Sequence, residues 1–376
     1  MKSINKIIVV PDSFKGGITS ENFCEIAKSA IGKIYPSAQV LALSVADGGE
    51  GTVHALLSSL GGEKIAAKVK DPFFEDMESF YGMLPNKTAV IEMATCAGLP
   101  LAKGRLNPLI TTTYGVGQLI SHAVNSGCRG IILGMGGSAT NDAGCGMASA
   151  LGVKFYDENG REFIPVGGTL CKITRIDTKG LKLSVPVTAM CDIDNPLFGE
   201  QGAAHVFAPQ KGADEGMTEA LDAGLKHFAE LVKTELHTDV DSLACGGAAG
   251  GLGAGAYCFI NAELKMGIDV VLDTAEFDRH LLDADLVITG EGKIDTQSLR
   301  GKAVIGIAKR AKAKNVPVIA IVGDIGDNIE EAYELGISGI FSINRVAVPR
   351  ENAKLRSKSD LLLTLENIFR FIQSMS

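Results

Sequence analysis

Five short apolar runs, two near the start of the chain and three near its end, are spaced by segments of helical periodicity. That alternation limits the fold more than any other feature. "KIIVV" (6–10) is β-branched and bounded by Pro11, and "VLALSV" (40–45) is the second run. Between them Phe23, Ile26, Ala27, Ala30, Ile31 and Ile34 recur at helical spacing, with Ser20 placed as cap and Glu21 in the first turn. "TVHALLSSL" (52–60) predicts a helix that stops at Gly61–Gly62. "DLVITG" (285–290), "PVIAIVG" (317–323) and "GIFSIN" (339–344) repeat the pattern, with helical segments near 302–315 and 328–335. A final helix, capped by Ser359 or Asp360, carries Leu361, Leu365, Ile368, Phe369 and Ile372. Apolar strands joined by helices predict a parallel sheet covered on both faces.

The middle of the chain reads differently. Residues 65–100 are extended with weaker alternation, "DENG" (157–160) signals a hairpin, and glycine-rich helical stretches interrupt the rest. The expected fold class is therefore α/β, with two α/β domains. Residues 1–65 and 285–376 form a Rossmann- or flavodoxin-like domain whose parallel sheet draws on both chain ends. Residues 66–284 form an inserted mixed α/β domain, with the active site expected in the cleft between the two. A chain of 376 residues suits that layout.

Charge and cysteine usage narrow the function. Lys plus Arg number 36 against 44 Asp plus Glu, giving a formal charge of −8, and no basic stripe invites nucleic acid. No apolar run approaches the roughly 20 residues of a membrane span. The eight cysteines form no CxxC pair or Cys/His cluster, which argues against zinc and disulfides and for a cytoplasmic protein. Monomer and homodimer both remain open.

Five segments combine glycine with charge: "PDSFKGG" (11–17), "DGGEGT" (47–52), "GMGGSATNDAG" (134–144), "GGAAGGLGAG" (246–255) and "TGEGKIDTQSLRGK" (289–302). Glycine-rich turns leading into helices cradle phosphate through backbone N–H groups. These loops also carry Asp12, Asp47, Glu50, Asp142, Glu291 and Asp295, which repel phosphate. A divalent cation between them removes the conflict, because Mg²⁺ is held by one or two carboxylates plus phosphate oxygens. Lys15, Lys293, Arg300 and Lys302 then meet the remaining phosphate charge. The combination points to phosphoryl transfer. Each loop alone has a plainer explanation: a tight turn, a close-packed helix start at 246–255, a helix cap at Asp295. "MCDIDNPLFG" (190–199) reads equally as an Asx-turn or as a base or metal ligand at Asp192 or Asp194.

A rival reading rests on Gly134-x-Gly136-x-x-Ala139 after a strand, with Asp157 about 20 residues beyond, which nearly reproduces the dinucleotide fingerprint. It predicts a nicotinamide-dependent oxidoreductase of a small hydroxy acid. A third reading is a non-enzymatic nucleotide or sugar-acid sensor.

"PDSFKG", "DGGEGT", "GGSATNDAG", "CDIDNPL", "FAPQKGA", "GAAGGLGAG" and "GEGKIDTQSLRGK", in that order over nearly the whole chain, resemble the bacterial glycerate kinase type 1 family. The resemblance implies ATP- and Mg²⁺-dependent phosphorylation of D-glycerate, on the 2-hydroxyl to give 2-phosphoglycerate, with 3-phosphoglycerate as the alternative product. It also implies two α/β domains. Carried onto this chain, it gives Ser13 and Lys15 to the glycerate carboxylate or the transferred phosphoryl group, and Arg300 and Lys302 to charge neutralisation. Lys15, Asp192 and Asp295 become the catalytic candidates, with either aspartate accepting the hydroxyl proton. Asp47 and Glu291 become the Mg²⁺ ligands. Gly136, Gly137, Ser138, Gly250, Gly251 and Gly253 become the lining of the nucleotide phosphates.

Overall fold

The computed structural model describes residues 4–14, 17–45, 48–296, 298–300 and 303–375. Its strands are β1 (Lys6–Pro11), β2 (Gln39–Ala42), β3 (Glu63–Lys70), β4 (Asp76–Met83), β5 (Thr88–Glu92), β6 (Gly130–Gly134) and β7 (Lys154–Tyr156). Then follow β8 (Glu162–Phe163), β9 (Arg175–Asp177), β10 (Val187–Cys191), β11 (Glu263–Met266), β12 (Leu286–Ile294), β13 (Val318–Ile325) and β14 (Gly339–Ser342). Two compact units result, Met1–Ala46 with Ile268–Ser376, and Asp47–Gly267.

The first unit is a five-stranded, wholly parallel sheet in the order β14-β13-β12-β1-β2. Both chain ends supply it, as the apolar runs require. Helices Ser20–Ile34 and Arg350–Met375 bury Phe23, Ala27, Ile31, Leu361, Leu365 and Phe369 against Ile7, Val9, Ile288 and Ile321. Helix Ala303–Ala313 packs on β12 and β13 through Val304, Ile305, Ile307, Ala308 and Ala311.

Local chemistry moves three features from where the pattern put them. Thr19, not Ser20, caps the first helix, accepting from Asn22 N at 3.2 Å, because Ser20 Oγ donates to Pro11 O at 2.6 Å. The last helix begins at Arg350, so Ser359 and Asp360 are interior, and Asp360 pairs with Arg356 at 3.2 Å. Its first turns are charged and lack an apolar stripe, which hides them from a periodicity argument. Strand β12 runs on through Glu291 to Ile294, because Lys293 and Ile294 pair with Asp324 and Ile325.

The second unit holds a six-stranded sheet, β11-β10-β6-β5-β4-β3, parallel from β11 to β5 and antiparallel over β4 and β3. A small antiparallel sheet, β8-β7-β9, accompanies it. Tyr81, Ile91, Leu119, Leu133, Met147, Leu225 and Phe228 are fully buried in its core.

The contact boundaries fall before residues 65/66 and 284/285. Helix Thr52–Leu60 belongs with the second unit because Val53 and Leu57 pack on Gly82 of β4. Segment 268–284 belongs with the first because Ile268 packs on Gly306, and Arg310 pairs with Asp269 at 2.9 Å and Asp273 at 2.6 Å. No helix among the described residues is long and apolar enough to cross a membrane.

Candidate functional site

The carboxyl ends of parallel strands collect ligand-binding loops, and in the second unit three such ends are adjacent. Glu92 of β5 and Met190 of β10 both pair with Gly134 of β6. The loops beyond them close on one another through main-chain bonds. Gly136 N donates to Gly48 O at 3.0 Å, Met135 N to Met190 O at 3.3 Å, and Leu99 N to Gly137 O at 2.8 Å. A Cβ on Gly134 would lie 2.5 Å from Gly48 O, and one on Gly136 2.5 Å from Gly49 Cα. The glycines of "DGGEGT" and "GMGGS" are therefore required first by each other: two backbones pass where no side chain fits.

Glu92, at the end of an otherwise apolar strand, is 4 % exposed. Its carboxylate accepts from Val53 N at 2.6 Å and Gly51 N at 3.2 Å. It thus serves the N-terminus of helix Thr52–Leu60, a position that otherwise suits a phosphate. Burial pushes its pKa up, and the two N–H groups oppose that shift.

Asp142 is likewise committed to the fold. It accepts from Thr113 N at 2.7 Å, Thr113 Oγ1 at 2.9 Å, Gly144 N at 3.1 Å and Gly146 N at 3.2 Å. It is fully buried, which pushes its pKa up against those donors. Its acid charge clamps the loop onto the segment before helix Tyr114–Asn125. Next to it lies Lys211, 2 % exposed, whose ammonium donates to Ser138 Oγ at 2.8 Å and Thr140 O at 2.7 Å. Burial lowers its pKa to about 7, while Asp142 works in the opposite direction. Thr140 Oγ1 and both polar atoms of Asn141 are buried without a hydrogen-bond partner.

The sequence-proposed residues of this unit divide. Gly136, Gly137 and Ser138 lie in the loop just described, and exposed Asp192 immediately follows β10. Gly250 and Gly251 sit at a left-handed kink in helix Ala248–Ile260, Gly253 lies just beyond it, and all three face protein backbone. Their missing Cβ atoms would stand 2.0 Å from Thr140 O, 2.9 Å from Ala143 Cα and 2.1 Å from Cys245 O. Packing accounts for these three glycines. Asp47 lies outside the described residues. Asn195 ties its loop through a 2.8 Å bond from Nδ2 to Gln201 O.

The dinucleotide reading fails on topology. It needs the strand carrying Asp157 to lie parallel beside β6, but the neighbours of β6 are β5 and β10. Asp157 instead turns the hairpin between β7 and β8, accepting from Asn159 N and Arg161 N at 2.9 Å each. The intervening helix, Cys145–Ala150, is a turn and a half long.

In the first unit, Asp12 and Ser13 follow β1, and Asp12 N donates to Gly290 O at 2.8 Å, beside Glu291. Glu291 is 7 % exposed within β12. Asp295 accepts from Ser298 N at 3.4 Å and lies 3.6 Å from Lys293, so it caps the short turn Ser298–Arg300. Lys15, Lys302 and the side chain of Arg300 lie outside the described residues.

Sequence reasoning missed Glu92 and Lys211. An acid closing an apolar strand is a signal for the first. Lys211 stood in the quoted "FAPQKGA", yet a single lysine between proline and glycine reads as a solvated loop residue.

Comparison with known proteins gives consistent findings. The model of the glycerate kinase family matches residues 7–373. Glycerate kinases of Bacillus cereus and Bacillus subtilis are 44 % and 45 % identical to this chain, covering 96 % and 93 % of it and 97 % and 92 % of themselves. The glycerate 2-kinase of Escherichia coli K12 is 43 % identical over 90 % of each chain. The crystal structure of a Salmonella typhimurium LT2 protein described as glycerate kinase 2 superposes with a TM-score of 0.88 at 39 % identity, covering 99 % of both chains.

Proposed function

The chain belongs to the glycerate kinase family, and is thereby a phosphotransferase; from that premise we propose that it transfers the γ-phosphoryl group of ATP to the 2-hydroxyl of D-glycerate in the cytoplasm. The observation that carries this reading is the length of the match, residues 7–373, with several relatives named glycerate kinase. The 2-hydroxyl is favoured by the Escherichia coli relative, which is named a 2-kinase.

The residues are assigned as follows. Loop 136–138 takes the nucleotide phosphates, since it follows a parallel strand and Ser138 offers a hydroxyl there. Asp192 is assigned the hydroxyl proton. Its carboxylate is exposed at the end of β10, directly after the segment that bonds to loop 134–136. In the reaction, the substrate oxygen attacks the γ-phosphorus, the bond to the β–γ bridging oxygen breaks, ADP leaves and the proton passes to the aspartate. Such a base needs to orient the proton more than to be strongly basic. Ser13, Lys15, Arg300 and Lys302 are assigned to the anionic substrate groups.

The donors fit Mg²⁺ because they are hard carboxylate oxygens. Among the described residues there is no cluster of three His, Cys, Asp or Glu, and one or two carboxylates with phosphate oxygens are what this ion uses. Glu291 and Asp47 would hold it, and it would supply neutralisation of phosphate charge.

The test is ADP release from ATP with Mg²⁺, with and without D-glycerate, run beside NAD reduction. Glycerate-dependent ADP with no NADH is expected. NADH without ADP would return the oxidoreductase reading, and binding without turnover the sensor.

A further inference from the structure

Lys211 is a buried cation to which the reading above gives no task. Its ammonium has three hydrogens and no lone pair, so it can only donate. Two hydrogens go to Ser138 Oγ and Thr140 O. A serine hydroxyl has one hydrogen and two lone pairs. With Lys211 on a lone pair, the Ser138 hydrogen must go elsewhere, and among the described residues no acceptor takes it. Ser138 bonds the buried ammonium and is itself 8 % exposed. A neutral amine would act in reverse, because its lone pair would accept the Ser138 hydrogen and turn the hydroxyl inward.

The surroundings leave this choice open. A buried ammonium is costly unless an anion pairs with it. Among the described residues Asp142 is the charge that acts on Lys211, and Asp142 is already shared among Thr113, Gly144 and Gly146. Ser138 and Thr140, which bond the ammonium, are neutral. The unpartnered Thr140 Oγ1 and Asn141 amide show that the protein alone does not satisfy the polar groups of this loop.

We propose that Lys211 is a positioning residue of the phosphate loop: its ammonium holds residues 138–140 and turns the Ser138 hydroxyl outward to donate to a phosphate oxygen of the nucleotide. The bound anion in turn holds the ammonium in its charged form, so that nucleotide binding above neutral pH takes up a proton. This rests on the assignment of loop 136–138 to the nucleotide.

The experiment is carbon NMR of the full chain labelled at lysine Cε, titrated between pH 6 and 10, with and without ATP. One lysine is expected to titrate near pH 7, and ATP is expected to raise its midpoint, so that at pH 8.5 the signal moves toward the charged position. Steady-state rates follow the same residue. If the anion raises the lysine pKa by one unit, KM for ATP rises about sixfold from pH 6.5 to 8.5. Lys211→Met should raise KM for ATP about tenfold or more at pH 6.5, the loss of a hydrogen bond to a charged group, with kcat within about threefold and the pH dependence gone. Ser138→Ala leaves the lysine in place, and there the signal should still titrate while KM rises by a similar factor; this keeps the test independent of whether Lys211→Met folds. A lysine signal that ATP leaves unmoved, or no lysine titrating below pH 9, overturns the proposal. If ATP moves the signal but glycerate yields no ADP, the assigned reaction falls and Lys211's role stands. If ADP forms and the signal is unmoved, only the role of Lys211 falls.

Discussion

Asp142→Asn separates an acid that holds the fold from an acid that holds a metal. In the wild-type chain one carboxylate oxygen accepts Thr113 N and Gly146 N, and the other accepts Gly144 N. An asparagine must put its NH₂ where one of these oxygens was. The milder choice faces Gly144 N and orphans one buried donor, at about 1–3 kcal/mol. The remaining bonds lose their charge assistance, roughly half their strength. Relief from burying a charge, the effect that pushes this carboxyl's pKa up, offsets part of the loss. A net cost of about 2–3 kcal/mol follows, and at ~2–4 °C per kcal/mol for a unit of this size the melting temperature should fall by ~4–12 °C. Calorimetry measures the melting temperature, and a Mg²⁺ titration of the initial rate at a temperature where the variant is folded measures the activation constant. The constant should stay within about twofold. An unchanged melting temperature with a tenfold weaker Mg²⁺ response would refute the clamp and make Asp142 a ligand.

Gly250→Ala should lower the urea midpoint by the equivalent of about 3 kcal/mol or more, since its Cβ would meet Thr140 O at 2.0 Å in a left-handed conformation; a wild-type midpoint would show that the kink is not enforced by packing. Asp157→Ala should keep the rate within about twofold, because its carboxylate only shapes a hairpin; a tenfold loss would revive the dinucleotide reading. A lysine whose folded pKa is depressed binds fewer protons folded than unfolded above that pKa, so Lys211 makes stability rise with pH from about 7. The buried thiols Cys24 and Cys258, pushed up to about 12, act oppositely once unfolded thiols ionise near pH 9. Between pH 7 and 8.5, therefore, the wild-type melting temperature should rise relative to that of Lys211→Met, and a constant difference would contradict the buried charge.

The sheet that joins both chain ends was legible because five apolar β-branched runs have no other economical use. The Gly61 stop and the "DENG" hairpin were legible for the same local reason. The candidate site was legible only as a set of loops. Whether a glycine makes room for a ligand or for another backbone is a question of tertiary approach, and Gly136 and Gly250 both meet backbone far along the chain, at Gly49 and Thr140. The same holds for acids. Asp142 and Glu92 spend their charge on backbone N–H groups far along the chain, at Thr113 and Val53, which no spacing rule reveals. Lys211 escaped because burial, not residue type, makes a lysine unusual.

Phosphorus NMR of a reaction containing the protein, ATP, Mg²⁺ and D-glycerate puts the assignment to its most direct trial. Transfer to the 2-hydroxyl places phosphate on a carbon bearing one hydrogen, so a new phosphomonoester doublet should grow as ADP appears. A triplet would move the phosphate to the 3-hydroxyl. Intact ATP with no new phosphomonoester, from folded protein, would contradict the account.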